Sequence, residues 1–246
     1  AAQGLMAGIN AHRLLHDEEP DVLRRDEGYI GDLIDDLITK SVDEPYRMFT
    51  SRAEYRILLR QDNADARLTP LGYKLGLATQ ERYDRFVDKQ QRVQDLVNLL
   101  KENNVAPEEI NGLLVEKETP EIAGKTRLAH VLTRPQVNLM EMISHVEWLK
   151  QKFDLSDEMT RSVIEETEIL VKYEGYIDKE REVADKLKRL EDVKLSPDFD
   201  YNAQHSLTIE ARQKLTKHKP QTLGQASRIS GVSPADISVL AVFLGR

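Results

Sequence analysis

Residues 79–103 have the sequence TQERYDRFVDKQQRVQDLVNLLKEN. Apolar side chains recur every three or four residues between Tyr83 and Leu100, and charged or polar residues fill most other positions. This spacing predicts an amphipathic helix with one buried face. Thr79 is a favourable N-cap residue, and Asn103 ends the pattern. A helix of this length needs other helices to cover its apolar face, so the stretch favours a mainly helical architecture.

The same reasoning extends along the rest of the chain, where Pro, Gly and Asn separate the periodic segments. The helix over 156–190 is expected to be the longest. The predicted helices cover residues 3–15, 29–38, 51–60, 79–103, 107–115, 126–133, 139–149, 156–190, 207–216, 223–229 and 235–244.

The composition supports a helical protein. The chain has 246 residues with only 12 Gly and 9 Pro, and 32% of its residues are charged. It contains no cysteine, which excludes disulfides, Cys-ligated zinc, iron–sulfur clusters and a Cys nucleophile within this chain. That absence fits a reducing compartment, and we expect the cytoplasm. No apolar run approaches the roughly 20 residues of a membrane span.

The charge is unevenly distributed. The net charge is −8, yet residues 201–246 carry six Lys and Arg against two acidic residues. We therefore predict three segments: 1–75, a helical domain over 76–200, and a small basic helical subdomain over 201–246. The basic subdomain could bind phosphate or an acidic partner, or it could be the solvated surface of a small bundle.

The sharpest chemical feature is a group of arginines within residues 46–60. Ser51 followed by Glu54 has capping-box spacing, so a helix is expected to begin there and to place three of the arginines on one face. Such a face suits RNA phosphates and unstacked bases. The alternative is an internal ion-pair network with nearby acidic residues. The arginines are Arg47, Arg52, Arg56 and Arg60.

Catalytic and metal motifs are missing from the sequence. The histidines are scattered, and the nearest pair, His12 and His16, lies at a helix end, so we expect no metal site. No Walker loop, nucleophile elbow or dinucleotide fingerprint is found. The residue types alone therefore indicate a helical binding module without a catalytic centre of its own.

Several longer motifs resemble one known family. They are AQGLMAGINA at 2–11, GYIG at 28–31, EPYRMFTSRAEYR at 44–56, YEGYI at 173–177 and PQTLGQASRISGVSPA at 220–235. Their order along the whole chain is similar to that of the C-terminal portion of the MnmG (GidA) family. Because the chain starts at Ala1, without Met, and continues directly into the first of these motifs, we expect it to be a piece of a longer protein.

The resemblance implies a part of a flavoenzyme. Members of this family work with the GTPase MnmE to add a carboxymethylaminomethyl-type group to the wobble uridine of tRNA, using FAD, NADH, a folate one-carbon donor and glycine or ammonium. They form homodimers. Residues 1–75 would then hold a short remnant of the FAD-binding α/β domain with a linking region, and a multi-helical C-terminal domain would follow. The catalytic parts would lie outside this chain.

The resemblance also implies roles for individual residues. Gln3 and Gly4 match the start of the helix that faces the flavin, although tight FAD binding is not expected here. The four arginines named above match a basic block that would contact tRNA. The alternative is a purely structural and protein-docking domain without tRNA contact. The residues matching the MnmE-docking end are Leu223, Arg228, Ile229, Val239, Val242 and Phe243.

Overall fold

The computed structural model describes residues 1–39, 46–47, 49, 51 and 53–244. Within these ranges the chain forms thirteen helices and one short antiparallel strand pair, which confirms the mainly helical fold class. The helices are α1 Ala2–Leu15, α2 Tyr29–Thr39, α3 Ala64–Lys74, α4 Gln80–Glu102, α5 Pro107–Glu116, α6 Leu128–Leu132, α7 Leu139–His145, α8 Glu147–Lys150, α9 Glu158–Lys172, α10 Glu174–Glu191, α11 Ile209–His218, α12 Leu223–Arg228 and α13 Pro234–Phe243.

Local signals account for many of these boundaries. The Thr79 hydroxyl accepts a hydrogen bond from the Arg82 amide at the start of α4, as the sequence predicts. Pro107 opens α5, where its missing N–H costs nothing. The strands β1 (Asn104–Val105) and β2 (Thr126–Arg127) pair antiparallel. The second strand replaces the first turn of the helix predicted over 126–133.

The single helix predicted over 156–190 is wrong. Two helices occupy this region, α9 and α10, and Tyr173 lies between them with φ −106° and ψ 10°. The amides of Tyr176 and Ile177 both bond to the Tyr173 carbonyl, so the first turn of α10 closes on this residue. Gly175 lowers helix propensity at the break. The helix α3, which contains Pro70, was not predicted from the sequence.

The described chain divides into two compact units. One is Arg60–Asp178, and the other combines Ala1–Leu59 with Lys179–Arg246. The segment boundaries at residues 75 and 200 stay predictions. None of the helices in the described ranges combines the length and apolarity of a membrane span.

Each unit has its own apolar core. In Arg60–Asp178, the helices α4 to α9 enclose fully buried side chains, among them Leu100, Ile110, Leu128, Met142 and Ile164. In the other unit, the largest cluster lies among α11, α12 and α13 and includes Leu215, Leu223, Ala226 and Leu240. A smaller cluster places Tyr55 and Leu59 against Ala184.

Candidate functional site

A buried guanidinium organises the unit that contains both chain ends. Arg25 lies at the end of the loop before α2, and four carboxylates surround it. Its Nε is 3.1 Å from Asp32 and 3.3 Å from Glu54, and its Nη1 is 2.9 Å from Asp35 and 2.8 Å from Asp36. Burial alone would lower the pKa of Arg25, but the hydrogen bond to Asp36 and the surrounding negative charges outweigh burial and raise it.

A second arginine joins this cluster from the C-terminal helices. Arg228, the last residue of α12, donates from Nε and Nη2 to the two carboxylate oxygens of Asp35, at 2.7 and 2.9 Å. Its Nη1 lies 2.5 Å from Glu191 at the end of α10, and Glu191 also accepts a hydrogen bond from Thr222. Burial alone would lower the pKa of Arg228, but the hydrogen bond to Asp35 and the charges of Asp35 and Glu191 outweigh burial and raise it. The side chain therefore stays charged.

The helix predicted over 51–60 is wrong. Residues 53–60 form turns and irregular backbone, with one helix-like bond from the Leu59 amide to the Tyr55 carbonyl at 2.8 Å. Tertiary contacts replace the expected capping box. The Glu54 carboxylate binds Arg25, and Glu180 of α10 accepts a hydrogen bond from the Leu58 amide at 2.7 Å. The predicted common helix face for the arginines is therefore wrong as well.

The predicted RNA-binding arginines differ in their surroundings. Arg47 and Arg56 are exposed, and neither forms a salt bridge with a residue in the described ranges. Arg60 is half-buried and pairs with Asp62 at 3.0 Å, as the ion-pair alternative predicts for this position. Arg52 lies outside the described residues.

The predicted flavin-facing residues lie on an open surface. Gln3 and Gly4 are exposed in the first turn of α1, whose only buried residue is Met6. A Cβ added at Gly4 would meet nothing within 4 Å. An exposed first turn is compatible with an acceptor atom at the helix N-terminus. Two exposed residues do not enclose a flavin.

The predicted docking residues fall into two groups. Leu223 and Ile229 are buried in the core, and Arg228 is held in the ion pairs described above. By contrast, Val242 is 74% exposed and Phe243 is 52% exposed at the end of α13, with Val239 half-buried beside them. Among the predicted docking residues, the exposed apolar side chains therefore all lie on α13.

The N-termini of α11 and α13 are tied together by one carboxylate. Asp236 accepts hydrogen bonds from the Thr208 amide at 2.8 Å and from the Ser233 amide at 2.9 Å, while Ser233 Oγ caps α13. This arrangement fixes the direction of α13 and hence the position of Phe243.

A cleft of about 330 Å³ lies beside the Arg228 ion pairs, with Val22, Ile34, Leu187 and Gln225 among its lining residues. Two of its charged lining residues, Asp35 and Arg228, already bind each other, and we assign no ligand to it. No group of three or more His, Asp or Glu side chains able to hold a metal occurs in the part of the chain that the structure describes.

The cluster around Arg25 was missed by sequence reasoning. The available signal was the run of acidic residues within the apolar pattern of 29–38, which placed Asp32, Asp35 and Asp36 close to the buried face of α2. A carboxylate on a buried face needs a cation, and the preceding loop supplies one in Arg25.

Taken together, these observations define a class of protein: a mainly helical one that exposes arginines at Arg47 and Arg56 and an apolar helix end at α13. Comparison with known proteins then identifies the family. A family described as the tRNA modifying enzyme MnmG/GidA C-terminal helical domain matches residues 80–181, and one described as its C-terminal helical bundle matches residues 183–246. The chain belongs to the MnmG/GidA family.

Individual relatives agree with this assignment. The tRNA uridine 5-carboxymethylaminomethyl modification enzyme MnmG of Cytophaga hutchinsonii is 52% identical over 246 residues, covering 100% of this chain and 39% of the relative. The enzyme of the same name from Flavobacterium psychrophilum is also 52% identical, with the same coverage. The form II crystal structure of Aquifex aeolicus GidA has a TM-score of 0.79 at 42% identity, covering 99% of this chain and 37% of that one. The chain thus spans about two fifths of the length of the curated relatives it matches.

Proposed function

We propose that this chain is the tRNA- and MnmE-binding portion of an enzyme that modifies the wobble uridine of tRNA. FAD and NADH would bind mainly to the remainder of the protein, which would also supply the catalytic groups. The homodimer and the cytoplasmic location that the resemblance implies remain predictions. One observation supports the RNA-binding role above the others: Arg56 is exposed on a backbone segment that is anchored on both sides.

The anchoring matters because a flexible arginine loses conformational freedom when it binds. Ala53 and Tyr55 are buried directly before Arg56, and Leu59 is buried directly after it. The backbone therefore presents Arg56 at low entropic cost. A guanidinium binds phosphate through two parallel hydrogen bonds and stacks on unpaired bases. Arg47 is exposed in the same part of the chain.

The structure supports a docking role for the end of α13 in a similar way. Val242 and Phe243 expose apolar area on a helix whose start is fixed by Ser233 and Asp236. Exposed apolar side chains on a fixed element are typical of a protein–protein contact. MnmE is the partner that membership of this family suggests.

RNA binding is tested by measuring the tRNA affinity of Arg56→Ala and Arg47→Ala variants at several salt concentrations. Each lost phosphate contact should weaken binding and reduce the salt slope by about 0.7–0.9. Arg189→Ala is the matched control, because Arg189 is exposed on α10 and forms no salt bridge with a described residue. Unchanged affinity in both variants would contradict the proposal.

Partner binding is tested separately with Val242→Asp and Phe243→Asp. Both should weaken binding to MnmE by about tenfold or more, because a charge would then have to be buried at the contact. Ile209→Asp is the control, since Ile209 is 67% exposed at the start of α11, where an acidic residue is tolerated.

The second candidate function is a structural and protein-docking domain without tRNA contact. The Arg60–Asp62 pair favours it, because that arginine is already engaged within the chain. Normal MnmE binding together with arginine variants that leave tRNA affinity unchanged would select this alternative.

A further inference from the structure

We propose that Asp35 is a positioning residue that couples the C-terminal helices α12 and α13 to the arginine-bearing segment of residues 53–59. The proposal rests on the proposed function in one respect: the two coupled elements are those assigned to the protein partner and to RNA. It adds that binding at one of them changes the affinity at the other.

The first contact of the coupling lies between α12 and α2. The Arg228 guanidinium donates two parallel hydrogen bonds to both oxygens of the Asp35 carboxylate. A two-point contact fixes the rotation of both planar groups as well as their separation. The side chains of Arg228 and Asp35 are only 11% and 13% exposed, so water screens the pair poorly.

The second contact lies between α2 and the loop before it. Asp35 Oδ2, which binds Arg228, also accepts a hydrogen bond from Arg25 Nη1 at 2.9 Å. One carboxylate oxygen is thus shared by two guanidinium groups. Any shift of α12 that carries Arg228 with it therefore changes the environment of Arg25.

The third contact lies between Arg25 and the arginine-bearing segment. Arg25 Nε donates to the Glu54 carboxylate at 3.3 Å. Glu54 stands between two buried residues, Ala53 and Tyr55, and Arg56 follows. A change in Arg25 therefore acts on the backbone that presents Arg56.

The hydroxyl of Tyr55 lies in the electrostatic field of these groups. Burial raises the pKa of its hydroxyl to about 12, the charges of Glu54 and Asp26 raise it as well, and those of Arg228 and Arg25 oppose them. Tyr55 also packs against Ala184 and Leu187 of α10. Tyr55 thus lies in the electrostatic field of both Arg25 and Arg228 and packs against α10.

These three contacts form a relay, and separating one of its charge pairs leaves poorly solvated charged groups with fewer hydrogen bonds. That penalty is large, so the contacts are expected to move together rather than separate one by one. By thermodynamic linkage, a partner that shifts α12 and α13 would alter RNA affinity, and RNA would alter partner affinity by the same factor.

The coupling is tested first by amide hydrogen exchange on an Arg228→Lys variant. Lysine keeps the charge but loses the two-point contact. Exchange at Leu58 and Leu59 should become about fivefold faster or more, while Leu215 in the core among α11, α12 and α13 should keep its protection. Arg189→Lys, on the exposed surface, should change neither region. Changes confined to α12 and α13, or equal acceleration at Leu215, would overturn the proposal, because both indicate a purely structural role.

A double-mutant cycle with Glu54→Gln supplies the second test. If the contacts act in series, the Arg228→Lys/Glu54→Gln variant should lose no more tRNA affinity than Glu54→Gln alone. Additive losses would overturn the coupling. Should Arg56→Ala and Arg47→Ala both leave tRNA affinity unchanged, the RNA-binding part of the proposed function fails, and the exchange experiment still decides whether the relay exists.

Discussion

Arg228 and Asp35 lie 193 residues apart in the chain, and two hydrogen bonds of 2.7 and 2.9 Å join their side chains. An Asp35→Asn variant keeps the shape but removes the charge to which both Arg228 and Arg25 donate. We expect the free energy of unfolding to fall by about 2 kcal/mol, because Arg228 would lose its charge-assisted two-point contact and keep only Glu191 as an ionic partner. Urea denaturation measures this loss. In the control Asp88→Asn, which affects an exposed i,i+4 pair with Arg92, the change should stay below about 1 kcal/mol.

The raised pKa of Asp32 should make the free energy of unfolding depend on pH in an unusual way. Burial raises its pKa to about 6, Arg25 opposes this shift, and Glu54, Asp36 and Asp35 add to it. Since the folded-state pKa lies above the unfolded value of about 3.9, the native state holds the proton more tightly, and this group's contribution to stability falls as pH rises from about 4 to 6.

An Asp32→Asn variant should therefore gain stability over the wild-type protein as pH rises through that window, by about 2 kcal/mol at pH 7. The difference should be smallest at pH 4, where the wild-type carboxyl is protonated. Urea denaturation at four or five pH values provides the curve, and a constant difference across the range would contradict this reading of Asp32.

Helices with strong local signals were predictable from the sequence. The 3.6-residue period and Thr79 define α4, and Pro107 defines the start of α5. Segment 51–60 shows the opposite case. Its capping-box pattern favours a helix locally, but the Glu54 carboxylate is bound by Arg25, which lies in a loop 29 residues earlier in the chain. Tertiary contacts outweigh a local preference of about 1 kcal/mol.

The candidate site was less predictable than the fold. The motifs identified Arg56 and Phe243 as surface candidates, and both are exposed. They also grouped Arg228 with the docking residues, although it is engaged with Asp35. The reason is that sequence spacing reports which residues share a helix face, whereas the partners of Arg25 and Arg228 come from segments separated by up to 193 residues.

Gly31 allows α2 to approach the preceding loop closely. A Cβ at this position would overlap the Arg24 carbonyl oxygen and lie 2.7 Å from the Leu23 carbonyl oxygen. Backbone atoms cannot move aside as a flexible side chain can, so Gly31→Ala should force α2 away from Arg25. We expect a loss of about 3 kcal/mol in stability by thermal or urea denaturation. Gly175→Ala is the control, because a Cβ there meets nothing within 4 Å.

Asp236 should stabilise the C-terminal helices in a pH-dependent way. Burial would raise its pKa, but its bonds to Ser233 and Thr208 lower it below the usual value. The stability that Asp236 contributes is therefore present above about pH 4 and is lost as pH falls through the depressed pKa. Asp236→Ala should cost about 2 kcal/mol at pH 7 and less at pH 3. An equal cost at both pH values would contradict the assigned role of the carboxylate.

Lys89 holds two carboxylates together within the unit Arg60–Asp178. Its Nζ lies 2.7 Å from Glu166 and 2.8 Å from Asp65, and Glu166 is almost fully buried on α9. Burial would lower the pKa of Lys89, but its hydrogen bonds to Asp65 and Glu166 raise it, so the ammonium stays charged. Lys89→Met should cost about 3 kcal/mol, since Glu166 would be left as a buried, unpaired carboxylate. The double variant Lys89→Met/Glu166→Gln removes that charge and should recover part of the loss, whereas two independent, additive losses would show that Lys89 acts through packing alone.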